Sequence, residues 1–219
     1  MNFKTKITKE EINNLPIEVF DGKITLVEDA EKVTAAIDEL RKHPVVGIDT
    51  ETRPSFSKGV HYKVALVQIS TLDHCYLFRL NKMDYSKEMF DFLADPKIKK
   101  IGLSLRDDIS GLSKRHLFKP QNFIDIQSIA QSYGILELSL QKIYAIIFDK
   151  KISKAQRLTN WESSELTTQQ QVYAATDAWA CLRIYTHLEN EKKLSSQELK
   201  DLLKKQEILK NETSEKTEN

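Results

Sequence analysis

The chain has 219 residues, 40% hydrophobic and 30% charged, with a formal net charge of +1. That is enough for one soluble domain with a substantial core. The near-neutral balance excludes a global basic field, so any polyanion contact has to come from a local patch. The only cysteines, Cys75 and Cys181, are far apart without metal-type spacing and read as reduced core thiols. The N-terminus M-N-F-K-T-K-I-T-K-E-E has no apolar signal core, and no apolar run approaches membrane-spanning length. A cytoplasmic, single-domain protein without a membrane partner is the expectation.

In chain order, Met1 to Glu18 is polar and reads as a loose lead-in, part of a segment 1–23 that precedes the main domain. Ile24 to Val27 suits a short strand. Val33, Ala36, Ile37 and Leu40 are spaced three and four apart, which predicts a helix over Glu28 to Lys42. Val45 to Ile48 then forms a short apolar run with the signature of a buried strand. Arg53 to Tyr62, with Pro54 and Gly59, reads as a loop. Val64 to Ser70 and Cys75 to Leu80 read as two strands joined by the polar turn T-L-D-H. Ser86 to Leu93 suits a helix closed by Asp95-Pro96. Lys99 to Leu105 reads as another strand, with a helix opening near Arg106 to Asp108.

Helices follow. Ile126 to Tyr133 has Asp125 as a candidate N-cap and ends at Gly134, a C-cap candidate. Ser139 is placed to cap a helix through Leu140, Ile143, Ile146 and Ile147. Lys150 to Asn160 is polar and basic and reads as a loop. Thr167 and Gln170 form a T-x-x-Q capping box. The helix they start should run to about Leu188 and be well buried, because it is apolar on more than one side. Leu194 to Leu209 suits one more helix, and Glu212 to Asn219 is charged enough to fray.

The chemistry begins at V-V-G-I-D-T-E-T, Val45 to Thr52. Alternation along a strand points Asp49 and Glu51 the same way. Two adjacent carboxylates repel unless a proton or cation sits between them, and a hard divalent ion such as Mg²⁺ or Mn²⁺ suits oxygen donors. D-x-E alone is short enough to arise by chance, so further ligands are needed. Asp107 and Asp108, at a predicted helix opening, are both candidates. Either also fits as a helix-start carboxylate favoured by the dipole. Tyr173 and Asp177 lie four apart and share one helix face. A lone aspartate in A-A-T-D-A-W-A-C-L is unexpected, since burying a charge is costly unless it is paired or binds a metal.

Three stretches together resemble the DEDD superfamily of 3′–5′ exonucleases, in the tyrosine-containing DEDDy subclass, and within it the ribonuclease D and Werner-syndrome-protein exonuclease domains. They are G-I-D-T-E-T at Gly47 to Thr52, I-G-L-S-L-R-D-D-I-S-G-L, and L-T-T-Q-Q-Q-V-Y-A-A-T-D-A-W. The family's Asp followed four residues later by Leu selects Asp108 with Leu112, and its Tyr-x-x-x-Asp falls on Tyr173 and Asp177. K-V-A-L-V-Q-I-S, C-Y-L-F and L-T-N-W add support. The resemblance covers roughly Ile24 to Leu188.

It implies an α/β ribonuclease H-like fold, a mixed central β-sheet flanked by helices, over an exonuclease domain at 24–190, with a helical or disordered tail at 191–219. It also implies a site for two divalent metal ions, Mg²⁺ or Mn²⁺. Asp49 would bridge both, Glu51 and Asp177 would complete the first, and Asp108 would serve the second directly or through water. Tyr173 would orient the attacking water or help deprotonate it. Its reference pKa near 10 favours orientation. Phosphodiester hydrolysis needs an activated water, in-line geometry and charge stabilisation on the leaving oxygen, and two ions about 3.5–4 Å apart meet all three needs.

The implied partner is the 3′ end of single-stranded or overhanging DNA or RNA. Candidate phosphate contacts are Lys58, His61 and Lys63, and further on Lys150, Lys151, Lys154 and Arg157. Trp161 could stack on a base, but a packed tryptophan is the preferred reading. Ribonuclease D-type members carry helical C-terminal domains, and this chain is expected to end too early for one. Two other functions compete: a non-catalytic nucleic-acid-binding protein, expected to have lost at least one ligand, and a phosphohydrolase of small nucleotides. A dinucleotide-binding enzyme is disfavoured by the lack of a glycine-rich phosphate loop.

Overall fold

A computed structural model describes residues 3–83 and 86–215. The elements in order are α1 (Lys9–Asn13), β1 (Lys23–Val27), α2 (Ala30–Leu40), β2 (Val45–Thr52), β3 (Val64–Ser70), β4 (His74–Arg79), α3 (Leu80–Met83), α4 (Lys87–Leu93), β5 (Lys99–Gly102), α5 (Leu105–Ser113), β6 (Phe123–Asp125), α6 (Ile126–Ser132), α7 (Leu140–Phe148), α8 (Thr168–Leu188) and α9 (Ser196–Glu215). The strands make one mixed sheet in the order β1-β4-β3-β2-β5-β6, with β3 antiparallel to both β2 and β4. The pairs β1–β4, β2–β5 and β5–β6 are parallel. This is the mixed, helix-flanked sheet expected from the sequence.

Both faces of the sheet are covered, so β3 is buried at every position. One core layer packs α2, α4 and α5 against residues such as Val46, Ile48 and Val67. The other packs α6, α7 and α8 against Leu66, Cys75, Leu77 and Ile101. Alternation along β2 sends Val46 and Ile48 into the first layer and Gly47, Asp49 and Glu51 towards the second. The catalytic candidates therefore lie under α8, which is buried on most of its surface.

Gly47 sets how closely α8 approaches. A Cβ there would lie 2.0 Å from the Ala178 carbonyl oxygen, a backbone atom that cannot swing away. The missing side chain thus places Asp177, the residue before Ala178, directly over β2. The predicted Thr167–Gln170 capping box forms in full and fixes where α8 starts.

Several expectations change. The N-terminal stretch is not loose: α1 carries its own capping box from Thr8 and Glu11. Ile7 and Ile12 pack on Ala145, and Glu18 pairs with Lys150 and Arg183. The strand predicted over Lys99 to Leu105 ends at Gly102, because Ser104 takes a left-handed conformation (φ 56°) and α5 starts at Leu105. Neither β6 nor α3 was expected; they are three and four residues long, too short for a periodic signal. The charged tail expected to fray is helical as far as Glu215, and the rest of it, 216–219, lies outside the described residues. No helix among the described residues is long and apolar enough to cross a membrane.

Candidate active site

Asp49 and Glu51 leave the end of β2, Asp177 leaves the middle of α8, and one carboxylate oxygen from each lies within 4.8 Å of the others. Three carboxyl groups are held this close because β2 and α8 are fixed by backbone ladders and core packing. Asp108, in the first turn of α5, stands beside this trio. Its carboxylate accepts a hydrogen bond from the Thr50 hydroxyl, on the strand residue whose side chain leaves β2 opposite to Asp49 and Glu51. Asp107 is its neighbour in the same first turn.

The electrostatics are those of a cluster awaiting a counter-charge. Burial, reinforced by Asp108, Glu51 and Asp177, holds Asp49 well above the usual carboxylate range. Burial, with Asp177 and Asp108, pushes Glu51 up to about 9, against the opposing pull of Arg157. Burial raises Asp177 to about 7 even though the Tyr173 hydroxyl and Lys154 favour its charged form. Burial likewise raises Asp108 to about 6, opposed by the Thr50 hydroxyl. An all-oxygen, anionic donor set of this kind fits a hard divalent cation.

A pH dependence follows. These folded-state pKa values lie above the unfolded ones near 4. Their contribution to the stability of the metal-free protein is therefore fully present below about pH 4 and is lost as pH rises through about 6 to 9. Cation binding requires the same protons to leave, so affinity moves the other way. Calorimetric Mn²⁺ titration should show tighter binding, with proton release, at pH 8 than at pH 6. In EDTA the melting temperature should fall over that interval. An affinity independent of pH would contradict this account of the cluster.

Tyr173 lies one turn before Asp177, with its hydroxyl within hydrogen-bonding reach of that carboxylate. Burial first, then Asp177 and Glu51, raise the phenol's pKa further. It stays protonated at neutral pH and acts as a donor. Tyr173, Asp49 and Asp177 open onto a cleft of about 290 Å³. One wall is apolar (Leu103, Leu138, Leu140, Ile152), and Lys154 and Arg157 bring positive charge to it.

The other candidates are distributed differently. Arg157 and Lys154 line the cleft. Lys58, His61 and Lys63 are exposed in the loop between β2 and β3 and do not line it. Lys150 is paired with Glu18, and Lys151 donates to the Asn13 carbonyl, so both tie down the N-terminal segment. Trp161 is a correction: it is wholly buried, its ring 6.0 Å from that of Tyr173, and it cannot stack on a base. It packs behind the tyrosine. The following loop is held by the buried Arg79, which donates to the Ser163 and Ser164 carbonyls.

Sequence reasoning missed the apolar wall, whose leucines and isoleucines look like ordinary core residues until folded. It also missed Gln68, which pairs with Asp49 in the β2–β3 register. Gln68 is fully buried, and neither of its amide atoms has a hydrogen-bond partner among the described residues. A buried amide needs partners, and its place puts polar capacity beside the carboxylate cluster.

Comparison with known proteins agrees with this geometry. The fold matches that of Escherichia coli RNase D with a TM-score of 0.69 at 21% identity, over 76% of this chain and 44% of that one. It matches the Aedes aegypti Nibbler EXO domain with a TM-score of 0.68 at 21% identity, over 78% and 91%. A ribonuclease H-like fold with a carboxylate cluster is thus the class. In sequence, residues 24–193 match the 3′-5′ exonuclease family profile. The chain is 30% identical over 188 residues to the mouse bifunctional 3′-5′ exonuclease/ATP-dependent helicase WRN, covering 81% of this chain but only 13% of that protein's length. The chain belongs to the 3′-5′ exonuclease family, in its DEDDy branch.

Proposed function

We propose that the protein hydrolyses the terminal phosphodiester bond at the 3′ end of single-stranded or 3′-overhanging nucleic acid, DNA or RNA, releasing nucleoside 5′-monophosphates. The observation that carries this reading is the meeting of three carboxylates within 4.8 Å at one end of a cleft that also holds Lys154 and Arg157. Asp49, Glu51 and Asp177 would hold one divalent ion, Mg²⁺ or Mn²⁺, and Asp49 with Asp108 a second. When bound, such a pair supplies activation of the attacking water and charge stabilisation on the leaving oxygen.

The chain's own residues do the rest. Tyr173, protonated and fixed one turn from Asp177, donates its hydroxyl hydrogen bond to the attacking water and so fixes its line of approach. Water adds to phosphorus as the bond to the upstream O3′ breaks. The upstream strand keeps its 3′-hydroxyl and the released nucleotide keeps the phosphate. Arg157 and Lys154 sit where the phosphate's negative charge has to be balanced. The apolar wall receives the terminal sugar and base without reading the base edge, which gives weak sequence preference.

Degradation of 3′- and 5′-labelled DNA and RNA oligomers, each with Mg²⁺, Mn²⁺ or EDTA, tests the reading. Stepwise shortening of 5′-labelled strands with release of 5′-mononucleotides is expected, and it should stop in EDTA. Cleavage that persists in excess EDTA, first release from the 5′ end, or turnover of free nucleotides without oligomers would overturn it.

A further inference from the structure

On the face of the sheet beneath α8, Asp49 has one neighbour that the chemistry above leaves unused. Gln68 stands opposite it on β3, in antiparallel register. Val67 and Ile69 pack into the layer of α2, α4 and α5. Alternation therefore sends Gln68, like Leu66, to the side of Asp49 and Glu51. The Cβ atoms of residues paired in this way lie about 5 Å apart.

Gln68 is wholly buried, and both ends of its amide lack a hydrogen-bond partner among the described residues. Two unmet polar groups are costly in a core. Packing alone favours leucine or methionine at this position. The residue paired with Gln68 on β4 is Leu77, and the one before it on the same face of β3 is Leu66, both fully buried. The other hydrogen-bonding side chains near this face are engaged. The Ser70 hydroxyl donates to the Thr71 carbonyl, the Thr176 hydroxyl donates to the Val172 carbonyl, and Tyr173 serves Asp177. The polar group left in register with the amide is the Asp49 carboxylate.

We propose, resting on the exonuclease reading above, that Gln68 is a positioning residue for Asp49. Its Nε2–H donates to the Asp49 carboxylate and fixes the orientation in which that carboxylate takes up cations. A side-chain rotation, or one enclosed water, closes the bond. A carboxylate shared by two ions uses both oxygens, and each oxygen keeps a further lone pair. A donor from the sheet side occupies such a lone pair and stops the carboxylate from turning about its own bond. The donor sits on a strand laddered to that of Asp49, so the support is as rigid as the sheet.

The test is Gln68→Met, which keeps the length of the side chain and removes the amide. Calorimetric Mn²⁺ titration should show affinity lower by about 10-fold. At saturating Mn²⁺, kcat on a labelled oligomer should fall about 10- to 100-fold. KM should not move, because a wholly buried side chain does not reach the substrate. In EDTA the variant should melt at or above the wild-type temperature, since two unpartnered groups are gone. Leu77→Met, in the same layer one strand further from Asp49, is the control and should leave Mn²⁺ affinity unchanged. Should Gln68→Met not fold, Gln68→Leu, which also lacks the donor, is read in the same titration.

Wild-type Mn²⁺ affinity in the Gln68 variant would overturn the inference and leave the exonuclease reading standing. So would an equal loss of affinity in Leu77→Met, which would assign the effect to core packing. If neither Gln68 variant folds, the amide serves the fold and the inference falls in the same way. If the wild type binds no Mn²⁺, the exonuclease reading itself fails and takes the role of Gln68 with it.

Discussion

Replacing Asp49 by asparagine is expected to lower turnover by about 10³-fold or more. The substitution keeps the side chain's size and one of its oxygens but removes a charge from the position facing Glu51, Asp177 and Asp108. Because those carboxylates repel Asp49 without metal, the loss of charge should not harm the fold. In EDTA the variant should melt at or above the wild-type temperature. The pair of measurements, single-turnover cleavage and thermal melting in EDTA, separates loss of chemistry from loss of structure. A variant that keeps near-full activity would remove Asp49 from the centre of the site.

Tyr173→Phe should cost about 10- to 10³-fold in turnover, the scale of one lost positioning contact. It deletes a single hydroxyl. The ring still fills its place against Trp161, so packing and melting temperature should change little. Mn²⁺ affinity should also hold, since no carboxylate is lost. Asp177→Asn, one turn along α8, should instead weaken both Mn²⁺ binding and turnover. Wild-type cleavage by Tyr173→Phe would make Tyr173 a packing residue with no part in the chemistry.

Much of the site was legible because its ligands break local rules. Asp177 interrupts a buried helix, and Asp49 and Glu51 close an apolar strand. Each violates the pattern around it, and each proves to be where the fold gathers negative charge. The capping residues Asp125, Ser139 and Thr167 were equally readable, since a cap is a local contract between a side chain and a nearby N–H.

What stayed hidden depends on contacts between distant segments. Trp161 stayed a stacking candidate beside the preferred packed reading because a tryptophan in a basic loop carries no sign of its burial. Its cover comes from α8 and from a loop held by Arg79, far away in sequence. The N-terminal segment looked loose because Ile7 and Ile12 are too few to set a period, although Thr8 and Glu11 did spell a capping box. Asp107 and Asp108 are not separated by their local pattern, and only the family's Asp-x-x-x-Leu spacing selects Asp108. In the structure Asp108 is distinguished by its bond to Thr50.

The approach of α8 across Gly47 has a consequence for the order in which the protein becomes dangerous. Two of the clustered carboxylates arrive early in the chain, on β2, and the third only with α8. A nascent chain or proteolytic fragment that stops short of α8 carries Asp49 and Glu51 on a strand with nothing above them, so it has no closed cluster and no positioned tyrosine. On the proposed reading, activity therefore depends on α8 reaching the sheet, because only then do Asp177 and Tyr173 join Asp49 and Glu51.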